Sequence, residues 1–304
     1  METKNNLKEV LLHNRPKLSA GSLSTYQSIL KNLLYKEHTK ETPIDTKWFE
    51  NQKEVLKHLE NTPSRKRKTI LSALVVVTDS NEHNHLYKSL VESDGKVTHL
   101  ENIKQTKSET QKENWITQED IKELFDKMYK GVKPLFKKKT FEEFTTGEYQ
   151  QFQNLIILAV LGGLWISPRR SQDYTELKIK GDIDKTTDNY KTKNSFVFNT
   201  YKTARFYGKQ EVEIPKDLGN LLNKFIKINP YHYLFNDSNG NKLNSVKLSQ
   251  RLNSIFGGKH ISVNILRHSF LSDKYKNVPA LSDMLKTAQD MGHSVLEGLE
   301  YVKH

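Results

Sequence analysis

The sequence contains no cysteine, which excludes disulfide staples, zinc–thiolate sites and thiol catalysis. It also lacks an apolar run of membrane length: the longest, Leu155 to Ile166, falls short of the ~20 residues a spanning helix needs. Met1 to Arg15 is polar and charged and holds no apolar stretch of signal-peptide length, so an intracellular protein with no membrane partner is expected. No internal repeat is evident. Positive charge, by contrast, is in excess. Lys and Arg number 48 against 36 Asp and Glu in 304 residues, a formal net charge of +12 and a sequence pI near 9.4. A field of that sign attracts polyanions, and nucleic acid is the first partner to consider.

The length suits two domains of ordinary size. From Ser22, a plausible N-cap, the residues Leu23, Tyr26, Ile29, Leu30, Leu33 and Leu34 fall at helical spacing. A second helix is expected after Pro43, with Trp48, Phe49, Val55, Leu56 and Leu59 on one face. A third begins near Ser64 and buries Ile70, Leu71, Leu74 and Val75, and a shorter one runs around Leu86 to Val91. Together they make a helical domain over residues 1–95. The third helix opens with Arg65, Lys66, Arg67 and Lys68, a run that reads as phosphate contact, as a nuclear address or as a solvated helix face. Asp94-Gly95 and the polar stretch behind it predict a linker over 96–113.

Order resumes in a second domain, 114–304. Thr117 with Asp120 resembles a capping box, and the apolar segment Phe152 to Leu164 predicts a buried helix. Glu176–Lys180, Ser195–Asn199 and Glu211–Ile214 predict three short strands, and helical patterns return from Leu218. The expected fold class is mainly α with a small antiparallel β-sheet.

Four short motifs in this domain carry candidate chemistry, and their weight lies in their joint occurrence. Pro168-Arg169-Arg170-Ser171-Gln172-Asp173-Tyr174 follows the buried helix and places a guanidinium within one turn of the Asp173 carboxylate. Tyr201-Lys202-Thr203 lies between two predicted strands, where a lysine can reach a substrate as a proton donor. Asn264-Ile265-Leu266-Arg267-His268-Ser269-Phe270 sets Asn264 and Arg267 on one helical face. Met291-Gly292-His293 is followed by Tyr301.

The series Arg, Lys, (His)-x-x-Arg, Gly-His and terminal Tyr resembles the tyrosine recombinase (phage-type integrase) signature, most closely at Leu266-Arg267-His268-Ser269 and Met291-Gly292-His293-Ser294. The similarity extends over essentially the whole chain, because the first domain is similar to the family's helical core-binding domain. Pro168-Arg169-Arg170 with Asp173-Tyr174 resembles members from large DNA viruses, virophages and related mobile elements. The resemblance implies a two-domain DNA clamp acting on double-stranded DNA. Four protomers would assemble on the DNA and exchange strands pairwise through a Holliday junction, with no metal and no ATP. It implies that Tyr301 attacks a phosphate to form a 3′-phosphotyrosyl link and that Arg170 and Arg267 clamp its oxygens. Lys202 would protonate the leaving 5′-oxygen and His293 would hydrogen-bond the phosphate. Asp173, Arg169 and His268 would support these groups.

Three departures qualify the likeness. Asn264 stands where the family has histidine, and an amide cannot shuttle a proton, so it should only orient phosphate. Either Arg169 or Arg170 could be the catalytic arginine; the three-residue step to Asp173 favours Arg170. Family members commonly carry a further helix after the tyrosine that docks on a neighbouring subunit, whereas here His304 follows soon after Tyr301, which leaves the mode of protomer assembly open. Two other functions fit the residues: a type IB topoisomerase that relaxes supercoils as a monomer, and a non-catalytic DNA-binding accessory protein.

Overall fold

The Ser19 hydroxyl accepts the backbone N–H of Ser22, so the first expected helix begins before the expected cap. In the computed structural model, which describes residues 6–40, 44–79, 81–276 and 280–303, the chain divides into two units, Met1–Lys104 and Gln105–His304. In the first unit, helix α1 (Leu7–Asn14), not expected from the sequence, buries Leu7 and Leu11. Helix α2 (Ala20–Ser28) passes into a π-helical stretch, Ile29–Tyr35, ahead of α3 (Lys36–Thr39). The wider winding turns Ile29, Leu30, Leu34 and Tyr35 into the core and leaves Leu33, expected on the same face, 42% exposed. The helix expected after Pro43 is two pieces, a 3-10 turn at Thr46–Glu50 and α4 (Gln52–Lys57). They break at Asn51, whose side chain accepts the Glu54 N–H and so starts a new helix. Phe49, Val55 and Leu59 are buried as expected.

Helix α5 (Ser64–Thr78) is the centre of this unit. It buries Ile70, Leu71, Ala73, Leu74, Val76 and Val77 and packs along α6 (Asn81–Ile103). That last helix runs well past the Leu86–Val91 segment expected, and through the Asp94-Gly95 pair read as the start of a linker. The reason is electrostatic. Asp94 is buried, and its carboxylate takes two hydrogen bonds from Arg67, at 2.9 Å from Nε and 2.6 Å from Nη2. It is therefore a bridge between α5 and α6 and not a turn residue. The stretch expected as linker, 96–113, is helical to Ile103 and again in α7 (Glu109–Glu113), where Ser108 and Gln111 form a capping box.

The same bridge divides the basic run. Arg67 is engaged with Asp94 and Arg65 donates to Asn102, while Lys66 is exposed and Lys68 half-buried.

In the second unit, capping boxes at Thr117/Asp120 and Thr145/Glu148 start α8 (Gln118–Val132) and α9 (Thr146–Leu161). The first of these is the box expected. Helix α9 is buried on almost every side, from Tyr149 to Leu161, and packs against α8, α12 (Lys216–Ile228) and α13 (Ser245–Ile255). It forms the core on which the rest of the unit is laid. Beyond it come α10 (Ser171–Thr175) and a four-stranded sheet in the order β1 (Leu177–Lys178), β2 (Asn189–Lys191), β3 (Ser195–Phe198), β4 (Gln210–Glu213).

The sheet is mixed, not wholly antiparallel: β1 runs parallel to β2, with Leu177 opposite Asn189, and the other two pairings are antiparallel. Strand β2 had no alternating signature, because Asn189 is buried for its hydrogen bonds to Asp173 O and Thr200 O and not for its apolarity. A helical turn, α11 (Ala204–Tyr207), interrupts the β3–β4 connection. The chain continues through α14 (Val263–Lys274), α15 (Leu281–Met291) and α16 (Val295–Tyr301). No helix among the described residues is long and apolar enough to cross a membrane.

Arg67→Ala leaves the Asp94 carboxylate buried without its partner and is expected to cost about 2–3 kcal/mol, less than the ~3–5 kcal/mol of a fully buried pair because Arg67 is partly exposed. Lys66→Ala, with nothing to uncover, should stay within ~0.5 kcal/mol. Urea denaturation distinguishes the two, and equal midpoints would contradict the bridging role.

Candidate active site

The loop after α9 delivers two adjacent arginines to different places. Arg169 is fully buried. Its Nε donates to Asp173 Oδ2 at 2.8 Å, and its Nη1 donates at 2.6 Å both to Gln210 Oε1 and to the carbonyl of Asp290. Its guanidinium lies 4.2 Å from the Phe198 ring centroid and 4.9 Å from that of Tyr201. Asp173 thus holds Arg169, four residues back, and not Arg170 as the three-residue step suggested. Burial pushes the Asp173 carboxyl up from the usual carboxylate range, and Arg169 beside it opposes that shift. Arg170, the N-cap residue of α10, is partly exposed. It donates to Gly292 O at 3.1 Å and pairs with Glu297 at 3.2 Å.

Helix α14, capped by Ser262, carries Asn264, Arg267 and His268. Arg267 is 1% exposed; its Nη1 donates to Pro168 O at 2.9 Å and lies 3.5 Å from Met291 O, while Nε and Nη2 are buried with no partner among the described residues. Its guanidinium sits 4.8 Å from the centroid of the Tyr301 ring. Asn264 is exposed and reaches His268 Nε2 at 3.2 Å.

Tyr301, half-buried at the end of α16, stands between two histidines. His268 is 4.8 Å away by ring centroids and tilted; His293 is 5.6 Å away and stacked, at 16°. Each histidine has its Nδ1 on a backbone carbonyl, Tyr301 O at 2.7 Å for His268 and Ser294 O at 2.8 Å for His293. A carbonyl can only accept, so the proton is on Nδ1 and Nε2 carries a lone pair. For His268 that lone pair takes the Asn264 amide. For His293 it is buried and unpartnered. Desolvation pulls both imidazoles down to about 4, and the charge of Arg267 adds to the effect in each.

Gly292 closes α15 in the left-handed region, at φ +68, and a Cβ there would stand 3.3 Å from Arg169 Nη2 and 3.4 Å from Tyr201. Gly298 leaves room for the His293 ring, which a Cβ would meet at 3.0 Å.

The structure therefore brings Arg169, Arg170, Asp173, Asn264, Arg267, His268, His293 and Tyr301 into one neighbourhood. Lys202 is different. It is exposed in the β3–β4 connection and makes no hydrogen bond or ion pair with a described residue, but its neighbour Thr203 donates to Gly292 O at 2.8 Å. The cluster can bind an oxyanion at the free edge of Arg267 beside a phenolic hydroxyl. Among the described residues no group of three or more His, Asp or Glu is placed to hold a metal ion.

The chain is similar to two solved recombinases. A crystal structure of XerA recombinase matches with 14% identity over 99% of this chain and 94% of its own, at a TM-score of 0.43. A pre-cleavage complex of XerH site-specific recombinase bound to difH substrate matches with 13% identity over 99% and 95%, at a TM-score of 0.45. No family model and no curated protein matches the chain.

Sequence reasoning missed Gln210, Glu297 and Gly298. Glu297 had a signal, since Ser294-x-x-Glu297 is a capping pattern and Ser294 Oγ does accept the Glu297 N–H. Its carboxylate, however, goes to Arg170. Gln210 had none, because its partners Arg169 and Gln289 are distant in sequence, and the place of Gly298 under the His293 ring depends on how the chain turns between Gly292 and α16.

With folded values near 4 against 6.5 for the free group, the two imidazoles contribute stability that is present above pH 6.5 and is lost as pH falls toward 4. Their ring resonances should stay unchanged from pH 8 to about 5 in an NMR titration, whereas a step near 6.5 in either would contradict the buried neutral state.

Proposed function

We propose that the protein cleaves and rejoins DNA strands through a covalent phosphotyrosyl intermediate on Tyr301, as a site-specific recombinase. The observation that carries this reading is the Arg267 guanidinium. Its Nε and Nη2 are adjacent donors, buried and unpaired beside the Tyr301 ring. Leaving such groups unsatisfied costs about 1–3 kcal/mol each, more for charged ones, so their lack of a partner supports a ligand that supplies two acceptor oxygens. The planar fork matches two oxygens of a phosphodiester. The net charge of +12 favours a polyanion as the carrier of that phosphate.

Arg267 and Arg170 would hold the non-bridging oxygens and stabilise the charge that grows on them as phosphorus becomes five-coordinate. Arg170 must first exchange Glu297 for phosphate. Tyr301 Oη attacks phosphorus, the P–O5′ bond breaks, and the electron pair leaves on O5′. The two protons need separate places. The phenolic proton passes to His293 Nε2, which the tautomer leaves as an acceptor, since Asn264 cannot take one. The leaving O5′ takes its proton from the Lys202 ammonium, worth ~10²–10⁴-fold for a well-placed acid. Religation runs the same steps backward, and the phosphotyrosyl bond conserves the energy of the cleaved one. Arg169 and Asp173, buried together, support the site from behind, and Arg65 and Lys66 of the first unit would contact phosphates. A tetramer that exchanges strands through a Holliday junction is the assembly this chemistry would serve.

On a nicked duplex that loses its 5′ fragment after cleavage, the wild-type chain should accumulate a covalent adduct visible on a denaturing gel. Tyr301→Phe should bind DNA with unchanged affinity and form none, and Arg267→Ala should lower adduct formation by at least ~10²-fold. An adduct that survives Tyr301→Phe overturns the assignment of the nucleophile. Relaxation of a supercoiled plasmid without joining of two sites would place the chemistry in a relaxing enzyme instead.

A further inference from the structure

The carbonyl oxygen of Gly292 is a junction. It accepts from Thr203 Oγ1 at 2.8 Å and from Arg170 Nη1 at 3.1 Å. The residue that follows it is His293, and the residue before Thr203 is Lys202. One backbone atom therefore joins the segment that carries the lysine to one arginine of the phosphate clamp and to the histidine stacked on Tyr301. Beside it, Gln210 makes a second tie of the same kind: its Oε1 accepts from Arg169 and its Nε2 donates to Gln289 O at 2.8 Å. The β3–β4 connection is thus fastened to the end of α15 at two points, one on β4 and one next to Lys202.

Lys202 itself has no such anchor. It is exposed, and a lysine side chain has four rotatable bonds whose ordering is costly. Only its backbone can be set in advance. The turn around it is closed by the Ala204 N–H on Tyr201 O at 3.0 Å and by the Tyr201 hydroxyl on Gly208 O at 2.7 Å. Those bonds shape the loop but do not relate it to the site. The bond from Thr203 does.

We infer that Thr203 is a positioning residue that registers the Lys202 ammonium with the phosphate held by Arg170 and Arg267, through its hydrogen bond to the Gly292 carbonyl. This inference rests on the strand-cleavage reading and on Lys202 as the proton donor to the leaving oxygen. Placement of a general acid within a fraction of an ångström governs how much of its advantage is realised. Loss of the Thr203 hydroxyl should then act only on the step in which that proton moves.

Two substrates separate this role from general damage to the fold. One is an ordinary nicked duplex; the other carries sulfur in place of the bridging 5′-oxygen, and its thiolate leaves without a proton. Thr203→Val keeps the shape and removes the hydroxyl, and Thr203→Ser keeps the hydroxyl. Cleavage of the oxygen substrate by Thr203→Val is expected to slow about tenfold, a loss of the size one positioning hydrogen bond supplies. The sulfur substrate should be cleaved at the wild-type rate, and Thr203→Ser should restore the oxygen rate. Thermal melting of both variants is the accompanying check on folding.

Equal slowing on both substrates, or no slowing on either, overturns the positioning role while leaving the cleavage reading intact. Absence of any Tyr301 adduct from the wild-type chain overturns the cleavage reading itself, and the inference with it.

Discussion

Arg267 carries its charge into the interior of the second unit with only part of its hydrogen-bonding capacity met. Two carbonyls from separate segments face its Nη1, Pro168 from the loop after α9 and Met291 from the end of α15. Burial works against the charge and pulls the group down from its ordinary range, so these acceptors are needed to keep a cation there at all. Each of them also places a neighbour. Pro168 precedes Arg169 and Arg170, and Met291 precedes Gly292 and His293. The arginine that would grip the phosphate is thereby the part that sets where the other candidate groups stand.

The tyrosine is held by bonds that leave its ring free to be shaped by its neighbours. His268 Nδ1 donates to the carbonyl of Tyr301, and the Lys303 N–H donates to Ser272 Oγ at 2.7 Å, so α14 grips the chain at the tyrosine and just after it. Val302 is buried with Leu271 and Met291 and fastens the same segment by apolar contact. Glu297 adds a carboxylate on the tyrosine's own helix that pairs with Arg170. On the proposed chemistry a phosphate would have to displace this carboxylate, and Arg170 would be the exchangeable half of the clamp and Arg267 the fixed half.

Much of this was legible in the sequence where the signal is local. The buried helix α9, the Thr117 capping box and the four motifs of the second domain are periodic or punctuated patterns that act over a few residues. Pairings between distant segments were not. Asp94 beside Gly95 has the composition of a turn, and only Arg67 across the helix pair makes it the middle of α6. The three-residue step from Arg170 to Asp173 looked like the structural pair, but the short α10 points Asp173 back at Arg169 and frees Arg170 for Gly292 and Glu297. The tautomer of His293 was likewise hidden, because it is set by the Ser294 carbonyl and not by residue type. That one bond leaves His293 Nε2 an acceptor, and not the hydrogen-bond donor toward phosphate that the resemblance implied.

The central claim is that Tyr301 is the atom source of the covalent link to DNA, and proteolysis of the trapped adduct followed by mass spectrometry tests it most directly. The account predicts a single modified peptide, with a 3′-linked nucleotide remnant on Tyr301 and none on His268, His293 or any serine. A remnant on another residue, or a peptide map in which Tyr301 is unmodified while strand cleavage proceeds, would contradict it.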